Sequence, residues 1–283
     1  MSPIQPRNRT IVLAPWLGYP DLRSLPVRIA CVALEDSLKS LVGRPDLVFT
    51  TDRLDWIASR HDLTSDRNLA DELTPFLHLR DDASGKIIDR SRKELEAFEW
   101  LSDRPGFSSS MSRSEFTEWV QTIHHAVTGR NSDLRRGGMR TRPDAHSNTI
   151  IFPPPQQIFH LLEELHRQVA AELPAKPALA AVAAYVGLIH CHPFLDGNGR
   201  TARVLFNLLL SRAAGRKMFI PLSHWSYLCG GSFVLKVRRA MYGGDWPAIL
   251  MFLRDTLTVL VGAGGSTQAS NTYSDSMPER RVS

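Results

Sequence analysis

The chain of 283 residues is long enough for one large domain or two modest ones, and its 43% hydrophobic content is ample for a packed core. No uncharged apolar run of 18 residues occurs, and the best candidate, Pro247 to Val261, is interrupted by Arg254 and Asp255, so a transmembrane helix is not predicted. The apolar part of the N-terminus is too short and too rich in proline for a signal peptide. We therefore expect a globular, cytoplasmic protein without a membrane partner.

The net charge of +5 and the isoelectric point near 9.3 suit a polyanionic partner such as a nucleotide or nucleic acid, although an ordinary basic soluble protein has the same values. The arginines are dispersed, and no aromatic residues alternate with them, which argues against nucleic acid. The one small arginine group, at positions 135, 136, 140 and 142, is most simply a solvated face.

Cys31, Cys191 and Cys229 are too scattered for a disulfide framework or a zinc site, so reduced thiols are expected.

Helical periodicity of apolar residues dominates the chain and predicts a mainly α fold. The periodic segments are 22–41, 94–101, 116–127, 159–173 and 179–189. Residues 199–214 are apolar nearly all round, which predicts a buried helix at the centre of the core. We divide the chain into an N-terminal helical region (1–90) of unknown role, a main domain (91–261) and a polar tail (262–283) that is expected to be disordered.

The helical pattern is interrupted between Gly137 and Pro155. Turn-forming residues precede Thr149 to Phe152, and three prolines follow. Two short extended pieces around 142–147 would form a hairpin, and the prolines exclude a continuing helix. A small β-hairpin flap on the helical bundle is therefore predicted.

Residues 190–203 read HCHPFLDGNGRTAR, the densest group of small, polar and charged residues in the chain. Pro193 blocks one helix, and Gly197 to Gly199 lead into the next, so the stretch is predicted to be an interhelical loop. The free N–H groups of a helix N-terminus bind anionic oxygens, and glycines let a phosphate approach the backbone. The loop therefore predicts a phosphate site.

Three further side chains of this stretch suit a polyphosphate. Asn198 can donate from its amide, and Arg200 and Arg203, three residues apart, lie on one face of the predicted helix. Their forked guanidinium groups match phosphate oxygens.

Asp196 and His192 complete the predicted chemistry. A carboxylate beside phosphates is explained if a cation lies between them, and Mg²⁺ binds to one or two carboxylates together with phosphate oxygens, so Asp196 is a candidate metal ligand. His192 is the nearby group with a pKa suited to accepting a proton at neutral pH, and it is the candidate general base. A nucleophile that His192 deprotonates would attack a phosphorus atom of a nucleotide.

These residues resemble the HPFx(D/E)GNGRxxR signature of the Fic family at every defined position from His192 to Arg203. Further parts of the family occur in the same order, and the resemblance covers about residues 91–260. These further parts are the helix with Ile123, His124 and His125, the turn at 138–140, the flap ending in prolines 153–155, and Asp245-Trp246 before the last apolar helix. The chain departs from the family near Ser232 and Phe233, where two tyrosines are frequent.

The resemblance implies a Fic-type helical bundle that transfers AMP from ATP to a Ser, Thr or Tyr hydroxyl of a target protein. It implies that His192 deprotonates the hydroxyl, that Asp196 holds Mg²⁺, and that residues 197–199 bind the α- and β-phosphates. Arg200 and Arg203 would contact the β- and γ-phosphates. The flap, residues 142–152, would hold the target segment as an added strand.

Family members often carry an inhibitory (S/T)xxxE(G/N) helix, whose glutamate pairs with the second arginine of the signature, here Arg203. Ser114 and Glu118 have the required spacing, but Trp119 follows where Gly or Asn is expected. An inhibitor of the usual form is therefore not predicted. A separate antitoxin-like protein, a divergent helix within residues 30–90, or an uninhibited enzyme remain as alternatives.

Other functions remain open from the residues alone. The donor could be UTP, GTP or a phosphocholine nucleotide, or the reaction could remove AMP, because base specificity lies outside the signature. A Doc-like kinase is disfavoured by Gly199, where that branch has lysine. An inactive scaffold or a nucleic-acid binder is disfavoured by the intact base, metal ligand and arginines.

Some residues near the signature have simpler interpretations. His190 and His192 do not share a helix face and have no Cys/His cluster around them, so His190 is expected to be a hydrogen-bonded helix-end residue rather than a zinc ligand. Phe194 is expected to anchor the loop in the core, and Cys191 to be a small buried residue.

Overall fold

The computed structural model describes residues 10–14, 18–43, 84–141, 149–228 and 232–270. They are mainly helical with a small two-stranded sheet, as predicted. In chain order the elements are β1 (Thr10–Val12), α1 (Leu25–Val42), α2 (Ser84–Ser102), α3 (Arg113–Thr128), β2 (Thr149–Ile151), a 3₁₀ turn (Pro155–Gln157), α4 (Ile158–Glu172), α5 (Pro177–Cys191), α6 (Asn198–Ala214), α7 (Leu222–Leu228), α8 (Ser232–Gly243) and α9 (Pro247–Ser270). Within those ranges, no helix combines the length and the apolar character needed to cross a membrane.

Helices α5 and α6 form the centre of the bundle. Thirteen of the fifteen residues of α5 are buried, and its many alanines allow neighbouring helices to approach closely. At Gly187 the approach is especially close, because a Cβ there would lie 2.6 Å from Cδ1 of Leu165 on α4 and would force that side chain to shift. Helix α6 packs against α2, α3 and α5. The central position predicted for residues 199–214 is confirmed, and α5 shares it.

The N-terminal helix α1 belongs to the same core. It packs against α9 and α5, and the boundary expected at residue 90 falls within α2. The buried carboxylate of Glu35 accepts hydrogen bonds from the backbone N–H groups of Ala178 (3.3 Å) and Leu179 (2.9 Å). A carboxylate from α1 thus caps the positive end of α5, which fixes the two helices to each other.

The C-terminal helix α9 extends further than predicted. It runs to Ser270, whereas the ordered part was expected to end at Val261 and residues 262–283 to be disordered. Once a helix exists, each added residue gains a hydrogen bond at low entropic cost, so polar and glycine residues can continue it for some turns. The end of the expected tail, residues 271–283, lies outside the described residues.

The flap has a neighbour that sequence analysis did not find. Strand β2 pairs in parallel with β1, with Thr10 opposite Thr149 and Val12 opposite Ile151. The N–H of Leu13 extends the pairing to the Ile151 carbonyl (2.9 Å). On its other side, β2 has an antiparallel bridge between Ile151 and Arg140. The bridge agrees with a returning hairpin, while the expected turn around 142–147 lies outside the described residues.

Candidate active site

The signature stretch joins α5 to α6 through two unusual backbone conformations. Helix α5 ends at Cys191, and His192 follows with a φ of 47°, the one positive φ outside glycine in the described residues. Gly197, with a φ of 84°, then precedes α6. A Cβ at Gly197 would lie 2.6 Å from Cγ2 of Thr128, so both the conformation and the space demand glycine.

The imidazole of His192 is held in one tautomer. Its Nδ1 lies 3.3 Å from the Ile189 carbonyl oxygen, which can only accept, so Nδ1 carries the proton and Nε2 keeps its lone pair. The ring of Phe152, directly after β2, stacks on the imidazole with the centroids 3.8 Å apart. Burial lowers the pKa of His192 to about 4, against the opposing effect of the Ile189 hydrogen bond. The side chain is therefore neutral at physiological pH and able to accept a proton.

Contacts from α3 and Asn198 fix the middle of the loop. Phe194 is buried and stacks on the ring of His124 at 3.9 Å, and Nε2 of His124 donates to the Asp196 carbonyl (2.9 Å). The Asn198 side chain accepts from the Phe194 N–H (3.0 Å) and donates to the Phe194 carbonyl (2.8 Å). The anchoring role expected for Phe194 agrees with this burial. The amide of Asn198, expected to donate to a phosphate, instead closes the loop, while its backbone N–H remains in the first turn of α6.

The Asp196 carboxylate points towards solvent between two arginines. Its Oδ2 accepts from Arg130 (2.7 Å) and Arg200 (3.2 Å), and its side chain is 61% exposed. A hydrogen bond from the Gly197 backbone and the two nearby guanidinium groups lower the pKa of Asp196. The group is therefore ionised at neutral pH, as a metal ligand requires.

A cleft of about 600 Å³ lies at the N-terminus of α6. Of the predicted site residues, it brings together Asp196, Gly197, Gly199, Arg200 and Arg203. His192 and Asn198 are not among its lining residues, since His192 lies beneath Phe152 and Asn198 is buried. The opposite wall comes from α2, whose Asp89, Arg90 and Lys93 were not expected at the site.

Arg203 is paired with a buried carboxylate on α2. Its Nε lies 3.0 and 3.1 Å from the Glu94 oxygens and its Nη2 2.5 Å from Oε1, while the Ser223 hydroxyl donates to Glu94 Oε2 (2.7 Å). Burial lowers the pKa of Arg203, but Glu94 outweighs this effect and raises it above the ordinary value. Glu94 does not fit the inhibitory motif, because Arg90, rather than Ser or Thr, stands four residues before it.

The Glu94 carboxylate is buried on the side of Arg203 that faces away from the cleft. Glu94 is 1% exposed and does not line the cleft, whereas Arg203 does. The third guanidinium nitrogen, Nη1, faces the loop, because a Cβ on Gly199 would lie 3.3 Å from it. Glu94 therefore occupies the Nε and Nη2 edge and leaves Nη1 towards the N-terminus of α6.

Arg135 corrects the expectation of a solvated arginine face. Arg136 and Arg140 are exposed, but Arg135 is 3% exposed and bonds backbone carbonyls of the signature loop and the flap. Its burial could not be inferred from the surrounding glycines and arginines, which have no apolar periodicity.

Neighbouring residues agree with their simpler interpretations. The buried His190 donates from Nε2 to the Ala14 carbonyl (2.9 Å), as expected of a hydrogen-bonded residue at a helix end. Cys191 is buried and, like Cys31, a free thiol, while Cys229 lies outside the described residues. Phe233, where the family often has tyrosine, packs in the core against Tyr185.

The loop, the cleft and the helical bundle resemble those of Fic proteins, and the comparisons with known proteins agree with this resemblance. Residues 115–210 match the model of the Fic/DOC family. Over 152 residues, 52% of this chain, the sequence is 35% identical to the protein adenylyltransferase Fic of Drosophila erecta and 30% identical to that of Drosophila ananassae. The matched region is 30% and 29% of the length of those relatives. The chain therefore carries a Fic/DOC family region and is a distant homologue of protein adenylyltransferases over about half of its length.

A solved structure supports the same fold over a longer part of the chain. The crystal structure of a Fic family protein from Desulfovibrio desulfuricans G20 aligns with 86% of this chain and 75% of its own chain, with a TM-score of 0.53 and 17% identity. At this identity the likeness concerns the fold alone. It confirms the expected Fic-type helical bundle.

Proposed function

We propose that this protein transfers AMP from Mg·ATP to a Ser, Thr or Tyr hydroxyl of a target protein. The observation that carries the proposal is the convergence of a helix N-terminus, an ionised carboxylate and two arginines in one cleft, on the loop that holds a neutral histidine. A nucleotide polyphosphate matches this set of groups. The homology to protein adenylyltransferases supports AMP as the transferred group.

In the proposed reaction, Nε2 of His192 removes the proton of the target hydroxyl. The hydroxyl oxygen attacks the α-phosphorus, and the bond to the oxygen bridging the α- and β-phosphates breaks, so pyrophosphate leaves. The proton passes from His192 to the products or to water. The Ile189 carbonyl keeps Nδ1 protonated, so Nε2 is the basic atom at the start of each cycle.

The phosphates are assigned to the groups that line the cleft. The backbone N–H groups at 197–199 would bind the α- and β-phosphates, and Arg200 and Arg203 the β- and γ-phosphates. Asp196 fits Mg²⁺, since its carboxylate is exposed and ionised and a single carboxylate with phosphate oxygens suits this ion. The ion would neutralise charge on the phosphates, and Arg130 would have to release Asp196 to admit it.

We assign Glu94 to the support of Arg203 rather than to inhibition. An inhibitory glutamate of the family would pair with this same arginine, but Glu94 is 1% exposed and does not line the cleft that would take the phosphates. It fixes two nitrogens of Arg203 and leaves Nη1 towards the loop. With the cleft open, a separate antitoxin-like protein is the candidate inhibitor.

The target segment is proposed to extend the small sheet at the outer edge of β1, which has no partner strand among the described residues. Both sides of β2 are occupied, by β1 and by the bridge to Arg140, so an added strand on the flap would next meet β1. Val12 is 69% exposed at this edge. Because the N–H of Leu13 faces β2, the alternation along the strand turns the N–H of Val12 outwards.

Val12→Pro tests this docking edge. Proline removes the outward N–H and is tolerated on an edge strand, so the pairing of β1 with β2 is expected to survive. We expect labelling of target proteins from α-labelled ATP to fall several-fold, because one main-chain hydrogen bond to the target is lost. ATP affinity should be unchanged, and Val12→Ala serves as the matched control. Full labelling by Val12→Pro would exclude docking at this edge.

The transferred group is identified with ATP that is labelled at the α-phosphate or at the γ-phosphate. We expect label from the α-phosphate, and none from the γ-phosphate, on proteins of a cell extract incubated with the purified chain. Competition by unlabelled UTP, GTP and CDP-choline identifies the donor base. Label from the γ-phosphate would indicate a kinase, and label from neither would contradict the proposed function.

A further inference from the structure

Arg135 lies in the loop between α3 and β2 and makes an unusual set of contacts. Its side chain donates to four backbone carbonyls: His192 (2.6 Å), Gly137 (2.9 Å), Pro153 (2.5 Å) and Cys191 (3.3 Å). Its backbone N–H donates to the Pro193 carbonyl (2.8 Å). A guanidinium that is 3% exposed and bonded to neutral carbonyls costs desolvation free energy, which indicates a specific structural task.

Two of these carbonyls belong to the C-terminal end of α5. The last carbonyls of a helix have no intrahelical partners and carry a partial negative charge, so a cation placed there stabilises the end. Here the end is also strained, because His192 has a φ of 47° without being glycine. Such a conformation persists where the surroundings fix it. Arg135 bonds the Cys191 carbonyl, just before the His192 nitrogen, and the His192 carbonyl, just after the α-carbon.

The same guanidinium connects this turn with the flap. Pro153 follows Phe152, whose ring stacks on the His192 imidazole, so the bond to the Pro153 carbonyl helps to set the distance between the two rings. The imidazole is thus enclosed by Phe152 on one side and by the Ile189 carbonyl at Nδ1. Both the backbone and the ring of His192 depend on the position of Arg135.

We propose that Arg135 is the positioning residue of the general base, because it holds the strained turn of His192 and the flap residue above its imidazole in one arrangement. The proposal rests on the proposed role of His192 in AMP transfer. Arg135 acts through backbone carbonyls and is not expected to touch the nucleotide, since it does not line the cleft.

Electrostatics add to the geometric role. The charged groups that act on His192 are Arg135 from the α3–β2 loop and Asp196 from the signature loop, and they have opposite effects. The Arg135 guanidinium contributes to the lowered pKa of His192, after burial, while Asp196 raises it. Loss of the cation should therefore raise the pKa of His192 and leave less of the base neutral at mildly acidic pH.

The test compares Arg135→Met, Arg135→Lys and the control Arg136→Met, which removes an exposed cation from the same loop. We expect Arg135→Met to lower kcat about tenfold or more, since a base displaced by about 1 Å loses much of its effect, while KM for ATP changes less than about twofold. Arg135→Lys keeps the charge but not the fork, so kcat should be intermediate. Arg136→Met should match wild type.

Nuclear magnetic resonance of the histidine rings gives a readout that does not depend on turnover. The His192 signal, identified by its absence in His192→Ala, should titrate at a higher pH in Arg135→Met than in Arg135→Lys or wild type. If Arg135→Met does not fold, the lowered kcat of Arg135→Lys at unchanged KM and an unshifted titration supports the proposal. Wild-type kcat and wild-type titration in the folded variants would overturn it, as would equal losses of kcat and ATP affinity.

The two hypotheses fail in different ways. Absence of α-label with the wild-type chain removes the proposed function, but the titration of His192 still reports whether Arg135 sets its surroundings. Normal AMP transfer by Arg135→Met removes the positioning role and leaves the proposed function intact.

Discussion

His192→Ala is expected to lower the rate of AMP transfer by about 10²- to 10⁴-fold, the range usual for the loss of a general base. The imidazole supplies no contact to the cleft that would bind ATP, so the Kd for ATP should stay within about twofold. The rate of labelling from α-labelled ATP and the Kd from calorimetry are the measurements. His160→Ala, which removes an exposed histidine on α4, is the matched control. Wild-type labelling by His192→Ala would contradict the assignment of the base.

The pH dependence of the same reaction follows from the pKa of His192. The base works when it is neutral, so activity is present above its pKa and is lost as the pH falls through it. Because the pKa is lowered to about 4, chiefly by burial, kcat/KM should not fall on account of His192 between about pH 8 and pH 5.5. An ordinary histidine would lose half of its activity near its usual pKa of about 6.5. An acid limb centred there would show that His192 is more exposed in the working enzyme than in this structure.

Glu94→Gln is expected to have the second largest effect, on both stability and ATP binding. Removing one partner of a buried ion pair leaves the other charge uncompensated. The free energy of unfolding should fall by about 3 kcal/mol. This value is near the low end of the range for broken buried ion pairs, because glutamine still accepts a hydrogen bond. Urea denaturation measures this change. KM for ATP should rise about tenfold, because Arg203 loses the carboxylate that accepts from its Nε and Nη2 and so directs Nη1 to the loop.

The sign of the effect on activity separates support from inhibition. If Glu94 supports Arg203, AMP transfer at limiting ATP falls in Glu94→Gln; if Glu94 were an inhibitory glutamate, transfer would rise. Glu99→Gln removes an exposed carboxylate from the same helix and is the control. Ser223→Ala removes one hydrogen bond from Glu94 and should give a smaller change in the same direction. A rise in transfer in both variants at Glu94 and Ser223 would refute the supporting role.

The local part of the site could be predicted from the sequence, because its residues are close together in the chain and each has a specific chemistry. The pattern from His192 to Arg203 predicted the loop, and the structure places Asp196, Gly199 and Arg203 on one cleft. The exception is Asn198, whose side chain closes the loop. The sequence shows an asparagine in either case, so it cannot distinguish a free side-chain amide from one that is hydrogen-bonded to a neighbouring backbone group.

The long-range partners were missed for physical reasons. Glu94 lies 109 positions before Arg203 and does not match the inhibitory motif of the family. A signal was nevertheless present, since Glu94, Phe98 and Leu101 follow each other at helical spacing on the buried face of α2. A carboxylate on an apolar stripe requires a buried partner. For Arg135 the glycine-rich loop has no periodicity, and nothing local marks it as buried.

The pairing of β1 with β2 has a consequence for the order in which the molecule assembles. It joins Thr10 to Thr149, 139 positions apart, through a strand of three residues. Closing so long a loop costs entropy that three residues cannot offset, so the helices must first bring the two segments together. The sheet should therefore form last on folding and open first on local unfolding, and hydrogen exchange at Thr149 to Ile151 should be faster than in α5. The cleft at the N-terminus of α6 can thus be complete before the proposed docking edge has formed.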